Sequence, residues 1–299
     1  MDKFKLICPL ITPLDSSYEP SREYYKLLMS DLTEMGINSI FPLGSTGLFS
    51  LLTMDKKKKF LNIVSEESEK KETFVGIGSQ NTEEAVELAK YAFDLGFTSM
   101  VLQPTYYIKP EQPWIIKHFS EVISKVDANF IIYNIPQLAG VTIEAQTIES
   151  IIDTAGGKIR GIKESSGNIR YFNDIIYKFG SKIPVYQGQD DLLLQSLVAG
   201  SSGGVCGSTN ISSAAKKVLN LYVENDFKGA EEAQRNLDFV FRILNSYPFP
   251  SSYYYLFYRK HKIGGKVPLP ITTMEHIPDS FVTNSLDSLM RLENNSTSS

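Results

Sequence analysis

The sequence predicts a (β/α)8 barrel, the TIM-barrel architecture, with extra C-terminal helices. Short runs that are apolar on both faces recur eight times between residues 4 and 208, as buried parallel strands do. Amphipathic stretches of helix length separate them. No G-x-G-x-x-G turn follows the first run, which ranks a doubly wound open sheet below the barrel.

The expected strands are FKLICPLI (4–11), SIFPLG (39–44), TFVGIG (73–78) and SMVLQP (99–104), then NFIIYNIP (129–136), IRGIKE (159–164), IPVYQG (183–188) and GGVCGS (203–208). Between them SREYYKLLMSDLTEMG and TEEAVELAKYAFDLG read as helices that stop at glycine. Thr82 reads as the N-cap of the second, with Glu83 and Glu84 in its first turn. PWIIKHFSEVISKV reads as a third amphipathic helix, without a glycine stop. After residue 212 the pattern is helical only, which divides the chain into a barrel over 1–223 and a helical extension over 224–299. Within the extension, YYYLFY (253–258) reads as a core or interface helix rather than a platform for stacking bases. The polar tail ENNSTSS is expected to fray.

Length alone, 299 residues, would suggest two domains, but α/β barrels of roughly 250 residues are single domains. An apolar fraction of 42% and a charged fraction of 21% fit an ordinary soluble protein. The net charge of -4 leaves no positive field for nucleic acid or an anionic membrane. The basic cluster Lys56 to Lys59 is expected to be a solvated helix face. Cys8 and Cys206 are the only cysteines, and His118, His261 and His276 lack ligand spacing, so neither a disulfide framework nor a metal site is expected. The first residues make a poor signal peptide and no stretch approaches a membrane span. The expectation is a cytoplasmic protein with reduced thiols.

In barrels of this kind chemistry gathers at the C-terminal ends of the strands. The second run ends in GSTG (44–47), the fourth in QPTYY (103–107) and the fifth in YNIP (133–136). The sixth ends in Lys163, inside GIKESSGN (161–168); the seventh leads to GQDD (188–191) and the eighth to GSTN (207–210). A lysine closing a buried strand is either a side chain reaching back to solvent or a nucleophile. Lysine is a poor nucleophile at its ordinary pKa of about 10.4, and burial disfavours the charged form. Gly161, two residues earlier on the same face, is expected to leave room for the lysine stem.

Lys163 in GIKESSGN, Tyr133 in YNIP and the early GSTG together resemble the dihydrodipicolinate synthase and N-acetylneuraminate lyase superfamily, over roughly residues 4 to 290. The resemblance implies a lysine-dependent pyruvate aldolase that needs no metal or organic cofactor. Lys163 would form a Schiff base with a 2-oxo acid and Tyr133 would shuttle the proton of the substrate's C4 hydroxyl. Ser45, Thr46 and Gly47 would clamp the carboxylate. Tyr107 matches a tyrosine that reaches a neighbouring subunit's site in the synthases. Tyr106, Lys109, Ser165, Gly188, Asp190 and Cys206 complete the expected substrate contacts, with Asp191 beside them. A homotetramer is implied, with a 2-oxo acid and an aldehyde as its partners.

Departures within the motifs select the substrate. Synthases of this family carry an arginine two residues after the YNxP proline; here Leu138 stands there, and no guanidinium holds a second carboxylate. Sialic acid lyases share YNIPQLAG but usually follow GSTG with a glutamate and a longer loop. The GSTGLFSLLT of this chain resembles archaeal 2-keto-3-deoxygluconate aldolases. The expected reaction is cleavage of 2-keto-3-deoxygluconate to pyruvate and glyceraldehyde; cleavage of its 6-phosphate is left open, since Lys109 is either a point-charge contact for the phosphate or a solvated loop lysine. N-acetylneuraminate lyase is the alternative, followed by the synthase and a non-catalytic binding homologue. A phosphosugar isomerase, suggested by AGSSGGVCGSTN, would leave Lys163 and Tyr133 unexplained.

Overall fold

A computed structural model describes residues 4–68, 71–268, 270–271 and 277–296, with side chains to residue 292. His276 and the last residues of the tail lie outside them. The strands are β1 (Lys5–Pro9), β2 (Ser39–Phe41), β3 (Glu72–Thr73), β4 (Val75–Gly76), β5 (Ser99–Leu102), β6 (Asn129–Asn134), β7 (Ile159–Glu164), β8 (Val185–Gln187) and β9 (Gly203–Val205). They form one sheet in the order β3-β2-β1-β9-β8-β7-β6-β5-β4, and the registered pairs are parallel. The two ends of that order, β3 and β4, are halves of one stretch parted only by Phe74, so the order closes on itself. Eight expected runs thus become nine strands, because the third run pairs on different sides with its two halves. The fold is the (β/α)8 barrel with additional C-terminal helices.

The chain divides into two compact units, one comprising residues through Lys5 with Glu72–Val205, the other Leu6–Lys71 with Cys206 onward. In the first unit, helix Thr82–Asp94 is capped by Asn81, whose side chain accepts from the Glu84 N–H at 2.8 Å. Thr82 is therefore the first helical residue and not the cap; its hydroxyl instead meets His118 Nδ1 at 2.9 Å. Gly96 follows the helix at φ +92°, a conformation glycine adopts without strain.

In the second unit, helix Met54–Glu67 carries the lysine cluster. Lys57 is only 5% exposed, against the expectation of a solvated face. The helical period explains it: Phe60, Leu61 and Val64 lie three, four and seven residues on and are buried too, and the Lys57 ammonium sits 5.7 Å from the centre of the Phe49 ring. Lys59, by contrast, pairs at the surface with Glu19. Helix Ser251–Lys260 buries Tyr253 through Tyr258 completely or nearly so, the core role expected of YYYLFY.

That helix serves the irregular segment after β1. Buried loop backbone needs partners. Tyr254 Oη accepts the Thr12 N–H and Tyr258 Oη the Leu14 N–H, each at 3.0 Å. The Asn210 amide accepts the Ile11 N–H at 3.0 Å and donates to the Pro9 and Gly207 carbonyls, each at 2.9 Å. Helix Asp279–Ser296 follows and runs into the tail that the sequence marks as polar. Among the described residues no helix is long and apolar enough to cross a membrane.

His118 gives the fold a pH dependence. Burial holds its imidazole down to about 4, against about 6.5 in the unfolded chain. The unfolded state therefore binds a proton that the folded state refuses, and stability present above pH 6.5 is lost as pH falls toward 4, by about 3 kcal/mol. Urea unfolding of His118→Gln against wild type should show a shallower loss across that window; equal slopes would remove His118 as the cause.

Candidate active site

The expected site residues fall in both units, and each group has its own geometry. In the first unit, β6 and β7 pair Tyr133 with Lys163, and β7 and β8 pair Lys163 with Tyr186. Partners in a parallel register point to the same face. Lys163 and Tyr133 are 5% and 2% exposed, and the Lys163 Nζ lies 4.0 Å from the centre of the Tyr133 ring. The lysine therefore does not reach back to solvent. Burial pushes the Tyr186 phenol up to about 12. The space expected beside Gly161 is taken by that ring: a Cβ there would stand 3.3 Å from Tyr186 Cε2 and 3.2 Å from the Pro184 carbonyl oxygen. Gly161 thus admits Tyr186 rather than the lysine stem.

The loop after Lys163 is braced from two sides. The Ser165 carbonyl accepts from Gln189 Nε2 at 2.8 Å and from Gln137 Nε2 at 3.1 Å. Ser165 itself is buried, and a Cβ on Gly188 would fall 1.8 Å from its Oγ, so glycine at 188 makes the hydroxyl's place. Asp190 is buried at the start of the turn Asp190–Leu192. Tyr106 is half-buried, its phenol pushed up to about 12 by burial and by the charge of Glu84. Tyr107 differs: it is 91% exposed at φ +76° and takes no part in the buried Lys163 cluster of this chain. Lys109, also exposed, lines a cavity of about 740 Å³ with Glu111, Gln112, Pro136 and Glu144. Leu138, at the position where synthases carry arginine, is exposed.

In the second unit the GSTG turn sits between Leu43 and Leu48, both at positive φ. Thr46 and Gly47 are buried and Ser45 half-buried. Fully buried Thr12 donates its hydroxyl to the Gly47 carbonyl at 2.8 Å, and a Cβ at Gly47 would come within 2.9 Å of the Leu10 carbonyl oxygen. Only glycine fits that approach. Cys206 is buried just after β9, its N–H donating to the Ile7 carbonyl at 3.1 Å, and no disulfide joins it to Cys8.

Sequence reasoning passed over Thr12, Asn134, Glu164, Gln137 and Gln189. Asn134 and Glu164 carried a signal: each follows a candidate catalytic residue by one position, at the end of a buried strand. Glu164 Oε1 accepts from Asn134 Nδ2 at 3.0 Å and from the Ser166 N–H at 2.8 Å. Burial raises the Glu164 carboxyl above the usual range, against these hydrogen bonds, which lower it.

Residues 3–277 match the dihydrodipicolinate synthetase family. The chain is 42% identical over 270 residues to an uncharacterised DapA-like lyase of Thermoplasma acidophilum, covering 89% of this chain and 91% of the relative. It is 36% identical over 256 residues to the 2-dehydro-3-deoxy-D-gluconate/2-dehydro-3-deoxy-phosphogluconate aldolase of Picrophilus torridus, covering 86% and 95%. The solved 2-keto 3-deoxygluconate aldolase of Picrophilus torridus superposes with a TM-score of 0.85 at 36% identity, over 90% of this chain and 97% of that one.

Thr12→Val keeps the shape but leaves the buried Gly47 carbonyl without its hydroxyl donor, at a cost of about 1–3 kcal/mol. Urea unfolding should show that loss, with Thr12→Ser retaining most of the stability; a loss in Thr12→Ser with none in Thr12→Val would mean that the methyl group and not the bond matters.

Proposed function

The chain belongs to the dihydrodipicolinate synthetase family and is a lyase of that family, and from that premise we propose that it cleaves 2-keto-3-deoxygluconate to pyruvate and glyceraldehyde through a Schiff base on Lys163. One observation carries the reading: an amine and a phenol ring buried together, 4.0 Å apart, on facing register positions of two strands. The Picrophilus relative supports the choice of sugar acid, as does Leu138 in place of a carboxylate-binding arginine.

Lys163 attacks the C2 carbonyl and water leaves, giving a protonated imine. Tyr133, having given its own proton to the hydroxyl that leaves as water, takes the proton of the C4 hydroxyl while the C3–C4 bond breaks. That electron pair moves into the imine, which becomes an enamine, and glyceraldehyde departs. The enamine gains a proton at C3, and water hydrolyses the imine to release pyruvate and restore Lys163. The chemistry needs no metal or organic cofactor, because the imine is the electron sink. To the substrate carboxylate we assign the backbone N–H groups of the 44–47 turn with the Ser45 and Thr46 hydroxyls, and to its hydroxyls Ser165, Gly188 and Asp190. Tyr107 is assigned to the proton relay of a neighbouring subunit in a tetramer.

Borohydride added with pyruvate should inactivate the enzyme and add a reduced pyruvyl group to Lys163, seen by peptide mass, while Lys163→Arg stays unlabelled. A folded wild type that takes no label would sink the Schiff-base reading. In an assay of pyruvate release, 2-keto-3-deoxygluconate should be cleaved faster than sialic acid; the reverse order would make the enzyme a sialic acid lyase.

Lys109 is assigned to the phosphate of 2-keto-3-deoxy-6-phosphogluconate, as a point charge. Lys109→Ala should raise KM for the phosphorylated substrate about tenfold with kcat held, since uniform binding is lost. Equal effects on both substrates would return Lys109 to the surface.

A further inference from the structure

Two strand ends carry alternating pairs. Inward lie Tyr133 and Lys163; one residue on, in the same register, lie Asn134 and Glu164, whose side chains point to the opposite face. Both outward residues are buried, Asn134 fully and Glu164 to 1% exposed. Their hydrogen bond, 3.0 Å from Asn134 Nδ2 to Glu164 Oε1, ties β6 to β7 directly behind the candidate catalytic pair.

The register needs such a tie. Phe130 pairs with Ile159 but Ile131 pairs with Gly161, so Arg160 is an extra residue in β7. A bulge breaks the ladder upstream of the lysine and leaves the downstream register to be set locally. A slip of one residue would exchange the inward and outward sets, taking Lys163 out of the site. Three further bonds hold the same place: Glu164 Oε1 accepts the Ser166 N–H at 2.8 Å, Asn134 Oδ1 the Ile143 N–H at 3.0 Å, and the Glu164 carbonyl the Gly188 N–H at 2.7 Å. Among the described residues Glu164 Oε2 has no partner.

We propose that Asn134 and Glu164 form a register latch: positioning residues that never meet the substrate but fix the Lys163 amine over the Tyr133 ring. The inference rests on the Schiff-base reading of Lys163. The latch works through one acceptor oxygen, and burial favours the uncharged carboxyl, so an amide in its place should serve as well.

The test measures kcat, KM and the rate of borohydride-trapped pyruvyl adduct in wild type, Glu164→Leu, Glu164→Gln and Asn134→Ala. Glu164→Leu should lose about 100-fold in kcat, as misplaced reacting groups do, with KM within about threefold and adduct formation slowed in parallel. Glu164→Gln should recover to within about fivefold of wild type. Should the leucine variant fail to fold, Asn134→Ala carries the test, with kcat down about tenfold at unchanged KM. Wild-type turnover and trapping in Glu164→Leu or Asn134→Ala would overturn the latch, as would a glutamine variant as impaired as leucine, which would point to the charge. A wild type that takes no label at all would instead remove the Schiff-base reading, and the latch with it.

Discussion

The register between β6 and β7 is the constraint on which the candidate site depends. Lysine is a long, flexible side chain, and taking it out of water is unfavourable unless its surroundings are fixed. Here the pairing of Tyr133 with Lys163 sets those surroundings before any substrate arrives. The aromatic face 4.0 Å away accommodates the head of the side chain, and Tyr186 fills the space that Gly161 leaves on the same face. Each neighbour is itself a strand residue, so the arrangement is as rigid as the sheet that carries it.

What was legible in the sequence follows the range of the physics involved. Apolar runs and glycine stops report local structure, and every strand expected from them is present. The split at Phe74 was not legible, because it depends on which neighbour each half meets. Lys57 was misread for a related reason: charge suggested solvent, while its spacing to Phe60, Leu61 and Val64 already placed it on the buried face. Between composition and periodicity, periodicity is the better guide to burial. The N-cap is Asn81 rather than Thr82 because the Asn81 side chain accepts the Glu84 N–H, while the Thr82 hydroxyl is taken by His118.

The candidate site was legible where a residue's type matches its task. A buried lysine, a tyrosine and a glycine-flanked hydroxyl turn stand out in one dimension. Their supports do not. Thr12 and Gly47 are joined across 35 positions, and Asn134 and Glu164 across 30. Nothing about a threonine in an apolar run, or a glutamate after a lysine, announces such a bond. Chemistry is written in the residue that performs it, whereas support is written in pairs, and pairs become visible only in the fold.

The tyrosines of helix Ser251–Lys260 add an order of events. Thr12 and Leu14 bond to residues 242 and 244 positions away, and Ile11 to one 199 positions away. During synthesis, at about 5–20 residues per second, the early segment waits on the order of ten seconds or more for partners that do not yet exist. Contacts of such separation close last and slow the search. Thr12, which grips the Gly47 carbonyl, sits inside that segment, so the support of the 44–47 turn is completed only when helix Ser251–Lys260 has emerged. A nascent chain can have its lysine strand already made and still lack the tyrosines that hold the segment around Thr12, so the support of the 44–47 turn is among the last parts of the fold to form.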